Sequence, residues 1–267
     1  MNFNLNDGLW WYIVNKCFNS QMSLDPTHGD FISIILMTVG FTVVTILVAY
    51  LLGSINSAII ISKMLYGDDI RTHGSGNAGA TNMLRTFGLR AAILTLVGDM
   101  LKTAIAIFIG GALGGFTYAN GIAVGFSGYN FGIPLTYVAG IFAIIGHILP
   151  VFYKFKGGKG VLCTATMALI LNPIEFAILI ALFIAIVCMS KYVSLGSVCA
   201  AVLYPVLVCG HIRIFAPPLN GFVALITVII AIIVVYCHRE NLKRISNGTE
   251  KKISIGGNKK ENGDAEK

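Results

Sequence analysis

A series of apolar runs constrains this chain more than any other feature. They fall at residues 31–65, 89–113, 133–152, 160–171, 173–189, 193–211 and 219–236. A helix needs about 20 apolar residues to cross the hydrocarbon core of a bilayer. Inside lipid the backbone must also satisfy its own hydrogen bonds, which leaves helices as the natural solution. Residues 160–171 are too short for a full crossing and read as a half-helix or a tightly set short one. Residues 31–65 are too long for one, and either a break at Gly53-Ser54-Ile55-Asn56 or a helix projecting beyond the lipid resolves the excess. Only 12% of the 267 residues are charged, where soluble domains carry about 25%. Mean hydropathy is +0.80. The expected fold is an all-α integral membrane protein with about seven transmembrane helices, one of them short.

Charge sets the expected orientation. The net charge is +7, and the bases gather on one side of the predicted spans. Lys63, Arg71, Arg85, Arg90, Lys154, Lys156, Lys159, Lys191 and the basic residues of 239–252 share that side, against Lys16 and Arg213 on the other. Basic loops stay cytoplasmic. The expectation is therefore a multi-pass cell-membrane protein, N-terminus outside and C-terminus cytoplasmic. Residues 1–30 form an N-terminal extension with one base and a short apolar stretch, which does not suit a signal peptide. Trp10, Trp11 and Tyr12 suit an interfacial piece. Residues 31–250 form the membrane domain, and 251–267 read as a disordered basic and polar tail. The bases do not interleave with aromatics on a soluble face, so no nucleic-acid partner is expected. The six cysteines contain no CxxC and the five histidines no HxxxH or HExxH. No metal site is expected.

Three polar segments lie on the basic side. The first, "RTHGSGNAGATNMLR" (71–85), contains GxGxxG from Gly74 to Gly79. A dinucleotide fingerprint must follow a strand and open a helix, and here it follows a membrane span. The better reading is a glycine-rich concavity that binds anions through backbone N–H groups. Ser75, Gly76, Asn77, Thr81 and Asn82 add donors, and Arg71 and Arg85 add charge. The second, "KFKGGKG" (154–160), lacks the spacing of a nucleotide P-loop. It still places Lys156, Gly157, Gly158, Lys159 and Gly160 just before a helix, where free N–H groups and positive charge favour phosphate. The third, "HRENLKRISNGTE" (238–250), sets His238 and Asn241 three apart, on one face of a helix. Asp99, Lys102, His147 and Ser194 lie within or at the ends of spans. An intramembrane acid is a functional candidate by default, but Asp99 and Lys102 also suit a structural pair.

Together these segments resemble the bacterial acyl-phosphate:glycerol-3-phosphate acyltransferases (PlsY). The resemblance spans residues 48–250. It rests on "GSGNAGATNMLRTFG", "GHILPVFYKFKGGKGV" and "HRENLKRISNGTE" in order, with "YLLGSI", "DMLK" and "KYVSLGS" between them. It implies a seven-helix membrane fold with a cytoplasmic-face active site and no cofactor or metal. It implies acyl transfer from acyl phosphate to the 1-hydroxyl of glycerol 3-phosphate, giving 1-acyl-glycerol 3-phosphate (lysophosphatidate) and phosphate, early in phospholipid synthesis. The partners it implies are those two substrates, the lipid bilayer and the phospholipid-synthesis enzymes that supply acyl phosphate. By position, Ser75, Arg85, His238 and Asn241 are the implied catalytic residues. Gly157–Gly160 are implied in glycerol 3-phosphate binding, Ser194 joins the substrate-binding set, and Glu250 is a structural partner. His238 suits either a general base or an orienting group. Asn56 and Thr103 depart from the usual family residues, proline or threonine and glycine respectively.

Two other classes fit less well. A transporter needs polar residues near the bilayer midplane on several helices, and here they cluster at one rim. A lipid kinase needs metal-binding carboxylates, and Asp68, Asp69, Glu240 and Glu250 form no recognisable cluster.

Overall fold

The computed structural model describes residues 31–119, 135–215 and 221–253. The expected interfacial piece, most of the Gly- and Tyr-rich loop before residue 133 and the tail beyond 253 lie outside the described residues. Among the described residues all regular structure is helical. The α-helices are α1 (Phe31–Ser54), α2 (Ser57–Tyr66), α3 (Ala80–Phe87), α4 (Leu89–Ala119), α5 (Leu135–Ile148), α6 (Val161–Leu171), α7 (Pro173–Ser190), α8 (Val193–Phe215), α9 (Gly221–Cys237) and α10 (Arg239–Ser246). Five stretches are long and apolar enough to cross a membrane, or six if the bent pair α9–α10 is one span; α6 is a shorter apolar helix.

The breaks have local causes. The expected interruption of the first long run falls at Ile55–Asn56. Asn56 caps α2, accepting from the Ile59 N–H at 3.1 Å, and so satisfies one of the orphan donors of a helix start. Pro173 disfavours helical conformation at Asn172, which ends α6 and starts α7 with proline in its first turn. At His238 the chain bends by 52° between α9 and α10.

Packing uses small residues, as expected where lipid competes for apolar contact. Helix α5 packs on α1 and α4. A Cβ on Gly53 would lie 2.2 Å from Ala143 O, and one on Gly146 would lie 2.3 Å from Tyr50 O, so the α1–α5 crossing is backbone on backbone. The short α6 sits inside, where Cys163 and Met167 join Ile107, Ile141, Ile144 and Ile230 in the main apolar core. Helix α8 packs on α7 and α9, closing the other side. The outcome is an α6 start held at one end of the bundle, beneath the polar loops.

Candidate active site

The opening polar segment folds in two parts, and its second half is helical where a loop was expected. Thr81, Asn82 and Arg85 sit on α3. Ahead of it, Gly74 and Gly76 adopt left-handed conformations (φ 59° and 70°). A side chain at Gly74 would also strike Asn82 Oδ1, 2.2 Å from its Cβ position. Asn82 is the organiser here. Its Nδ2 donates to the Ile70 and His73 carbonyls at 3.2 and 2.9 Å, and its Oδ1 accepts from the Ser75 N–H at 3.0 Å. That corrects its expected role as a substrate donor: the buried amide is occupied in folding the loop. Ser75 and Gly76 are exposed at the loop tip, and Asn77 and Thr81 are half-buried. The Ser75 and Thr81 hydroxyls make no hydrogen bond among the described residues.

Arg71 is likewise committed. Its Nε and Nη2 hold both oxygens of Asp69 at 3.0 and 2.7 Å, and Nη1 donates to Tyr153 O at 3.0 Å and Lys156 O at 3.4 Å. Hydrogen bonding to Arg71 holds the Asp69 carboxyl down at about 2 despite partial burial. Arg71 therefore ties the first polar segment to the second rather than presenting a free charge. Lys156 contributes its carbonyl to this tie and is exposed.

The glycines of the second segment also differ from expectation. Gly157 N–H donates to Ile148 O at 3.2 Å and Gly158 N–H to His147 O at 3.1 Å. These donors are taken by the end of α5 and are not free for an anion. What makes glycine necessary is close approach: a Cβ on Gly157 would lie 2.0 Å from His147 O, and one on Gly158 would lie 2.1 Å from His147 Nε2. Open N–H groups remain further on, at Gly160 (the N-cap) and the first turn of α6. Lys159 stands beside them. Burial pulls its ammonium down to about 8; Glu250 opposes that pull, while Arg244 and Arg85 add to it.

The third segment meets Lys159 directly. The Lys159 ammonium donates to Asn241 Oδ1. Asn241 Nδ2 donates to Glu250 Oε1 at 2.6 Å, Ser194 Oγ to the same oxygen at 2.9 Å, and Arg244 Nε to Oε2 at 2.7 Å. Burial pushes the Glu250 carboxyl up, but the bonds from Asn241, Arg244 and Ser194 outweigh it and hold the group below its usual range. Glu250 thus gathers three donors from two segments of the chain. Ser194, expected to bind substrate, gives its hydroxyl proton to that carboxylate. His238 is buried, with Nδ1 at 2.7 Å from Val234 O. A carbonyl only accepts, so Nδ1 carries the proton and Nε2 of the neutral ring is left as an acceptor. The segment does not stop at 250. Lys251 O accepts from Arg85 Nη2 at 3.0 Å, and Ile253 N–H donates to Lys191 O at 2.9 Å. Residues 251–253 thus bond to the membrane domain, although the tail was expected to begin at 251.

Under these loops Asp99 and Lys102 pair at 3.0 Å. The sequence marks His147, Asn56 and Arg244 as polar or basic but gives none of them a place in the site. Each stood inside or beside a polar motif; only the fold reveals which way their side chains reach. A cavity of about 140 Å³ adjoins the site. Its walls include Val161 and Leu162 at the start of α6, Ala201 and Tyr204 on α8, and Val234 one turn before His238.

The comparisons agree on one family. A family model described as glycerol-3-phosphate acyltransferase matches residues 43–248. A glycerol-3-phosphate acyltransferase of Salinibacter ruber is 40% identical over 79% of this chain and 92% of its own. One from Bacillus subtilis is 36% identical over 78% and 95%. Among solved structures, the glycerol 3-phosphate form of the integral membrane acyltransferase PlsY (YgiH) aligns with TM-score 0.65 and 30% identity, covering 80% of this chain and 96% of that one. Its lysophosphatidic acid form aligns with TM-score 0.63 and 28% identity. The all-helical bundle, the ordered polar motifs and these matches converge: the chain belongs to the glycerol-3-phosphate acyltransferase family, integral membrane enzymes of lipid synthesis.

Proposed function

We propose that the protein transfers a fatty acyl group from acyl phosphate to the 1-hydroxyl of glycerol 3-phosphate, at the cytoplasmic face of the cell membrane. The products are 1-acyl-glycerol 3-phosphate and inorganic phosphate. The observation that carries this reading is a site with two characters side by side. Lys159, Arg85 and the α6 N-terminus supply cationic and N–H groups, and the adjoining cavity is almost wholly apolar. Two anionic substrates, one with a lipid tail, match that pairing. A comparable apolar cavity of about 150 Å³ holds benzene, so this one takes about six carbons. The rest of the chain passes the exposed Ile180 on its wall into lipid. The related PlsY structures, in glycerol 3-phosphate and lysophosphatidic acid forms, support the acceptor and product classes.

The chemistry follows from the groups available. The 1-hydroxyl oxygen bonds to the acyl carbon as its proton passes to His238 Nε2. The tetrahedral oxyanion then collapses, the acyl carbon–phosphate oxygen bond breaks, and the proton leaves with phosphate. Arg85, Ser75 and the open N–H groups supply the charge and donors that such an oxyanion and leaving phosphate need. Acyl phosphate is already activated, so no acyl-enzyme is required and positioning supplies much of the rate. The test uses purified enzyme with acyl phosphate and glycerol 3-phosphate, following phosphate release with and without EDTA. Stoichiometric lysophosphatidate and phosphate under chelator are expected. Turnover with acyl thioesters but not acyl phosphate, or a rapid-quench acyl ester on Ser75, would overturn the reading.

A further inference from the structure

We infer that His147, carried by Lys102 and Asp99, is a positioning residue that sets the spacing between the Ser75 loop and the Lys159 loop, and thereby the affinity for glycerol 3-phosphate. The three side chains are 4%, 5% and 1% exposed, deep in the α4–α5 region. Lys102 Nζ lies 2.9 Å from Gly53 O, 2.7 Å from Ile55 O, 3.0 Å from His147 Nδ1 and 3.0 Å from Asp99 Oδ1. It thus fastens the free carbonyls at the α1–α2 break to α4 and α5 at one point. His147 Nδ1 also lies 3.6 Å from Asp99 Oδ1, so this edge of the ring is held by both charged groups.

The Nε2 edge of the ring faces the site. The ideal Cβ position on Gly158 is 2.1 Å from His147 Nε2 and 2.8 Å from Ala78 O. Nε2, Gly158 and the Ala78 carbonyl therefore share one small space where the two loops touch. Each side is anchored near the contact. The His147 carbonyl holds the Gly158 N–H, and Asn56 Nδ2 reaches Ala78 O at 3.5 Å. Lys159 follows Gly158 directly, and Ser75 lies three residues before Ala78. The imidazole makes no hydrogen bond to Lys159 or Ser75, but its width fixes how far apart their loops sit. Nothing here needs the ring to titrate. A polar edge of imidazole length, held from below, is sufficient. Displacement of a positioned group by about 1 Å can cost about 100-fold.

The inference rests on glycerol 3-phosphate binding at this site. Its test is direct titration of glycerol 3-phosphate into purified enzyme without acyl donor, so the donor assignment does not enter. Glutamine carries an amide to about the reach of Nε2, whereas asparagine reaches only about as far as Nδ1. His147→Leu and His147→Asn should weaken binding by about tenfold or more, and His147→Gln should stay within about threefold of the unaltered enzyme. Thermal unfolding in detergent accompanies each titration. A merely structural histidine would not separate glutamine from asparagine at equal unfolding temperature. If His147→Leu does not fold, the glutamine–asparagine contrast still decides. Equal Kd for those two variants overturns the inference. An unaltered enzyme that binds no glycerol 3-phosphate overturns the substrate reading as well.

Discussion

Gly158→Ala puts one methyl group into the contact on which the site turns. The new Cβ would lie 2.1 Å from His147 Nε2 and 2.8 Å from Ala78 O, where ordinary contact begins at 3.4 Å. Something must therefore move by more than an ångström. The ring has little freedom, since Nδ1 is 3.0 Å from Lys102 Nζ and the residue's own carbonyl holds the Gly158 N–H at 3.1 Å. The easier displacement is the Gly157–Gly160 segment, which carries Lys159. Forcing one extra methyl group into a packed interior costs about 1–3 kcal/mol. If that strain is relieved by moving Lys159 from its place, affinity for glycerol 3-phosphate falls between about fivefold and about 150-fold, at 1.4 kcal/mol per factor of ten. The assay varies each substrate at saturating levels of the other, with thermal unfolding as the control for folding. KM for glycerol 3-phosphate should rise and KM for the acyl donor should change less. A folded variant with both constants unchanged, or with only the donor constant raised, would refute the reasoning. A free-anion-site account predicts the same direction but no dependence on the ring. The strain account predicts that the unfolding-temperature loss of Gly158→Ala shrinks in a His147→Ala background, because neighbouring substitutions couple.

Glu250→Gln removes the charge that receives Ser194, Asn241 and Arg244. With Arg244 partly exposed the ion pair itself is screened, so the loss should be about 1–3 kcal/mol of stability from buried donors left unpaired; chemical denaturation measures it, and a variant of normal stability with kcat abolished would make Glu250 catalytic instead. Lys159 loses its proton near pH 8 in the free enzyme, so kcat/KM for glycerol 3-phosphate should fall above that pH. Stability should move the other way between about 8 and 10.5, because there the unfolded chain binds more protons; Lys159→Arg should push the alkaline limb upward, and an unshifted limb would assign it to another group. Arg85→Lys should lose about 2.7–4 kcal/mol of transition-state stabilisation, the cost of one oxyanion donor, since a lysine cannot hold Lys251 O and a phosphate with one planar fork; the kinetic assay checks this, and near-normal turnover would remove Arg85 from the catalytic set. In a cysteine-free background, Asp68→Cys and Lys252→Cys should resist impermeant thiol reagents applied to intact cells, and ready labelling of both would reverse the proposed orientation.

The architecture was legible because lipid permits few backbone solutions. Apolar length, the break at Asn56 and Pro173 place most helix ends within a few residues, although α4 runs on to Ala119 where its span was expected to close at 113. The polar loops were legible as a set but not as individual roles, and the reason is geometric. A sequence shows that Asn82, Arg71 and Ser194 carry donors, but not that those donors face inward. Asn82 spends its amide on Ile70, His73 and Ser75, Arg71 its guanidinium on Asp69, Tyr153 and Lys156, and Ser194 its hydroxyl on Glu250. A loop rich in donors must first satisfy its own backbone, because buried polar groups left unpaired are costly. The side chains left with free capacity are fewer: Ser75 and Thr81 with unbonded hydroxyls, Arg85 with one edge on Lys251, Lys159 on Asn241, and the buried His238 with Nε2 unbonded. Glycines mislead in the same way. A run such as "GGKG" suggests exposed N–H groups, yet Gly157 and Gly158 are small because α5 lies against them, and the donors offered to an anion begin two residues later. The division of labour follows from the chain's own order. The residues that shape the loops precede or flank those that act, so a substitution at Asn82 or Gly158 should disturb binding through geometry, while one at Ser75 or His238 should leave geometry intact and remove chemistry.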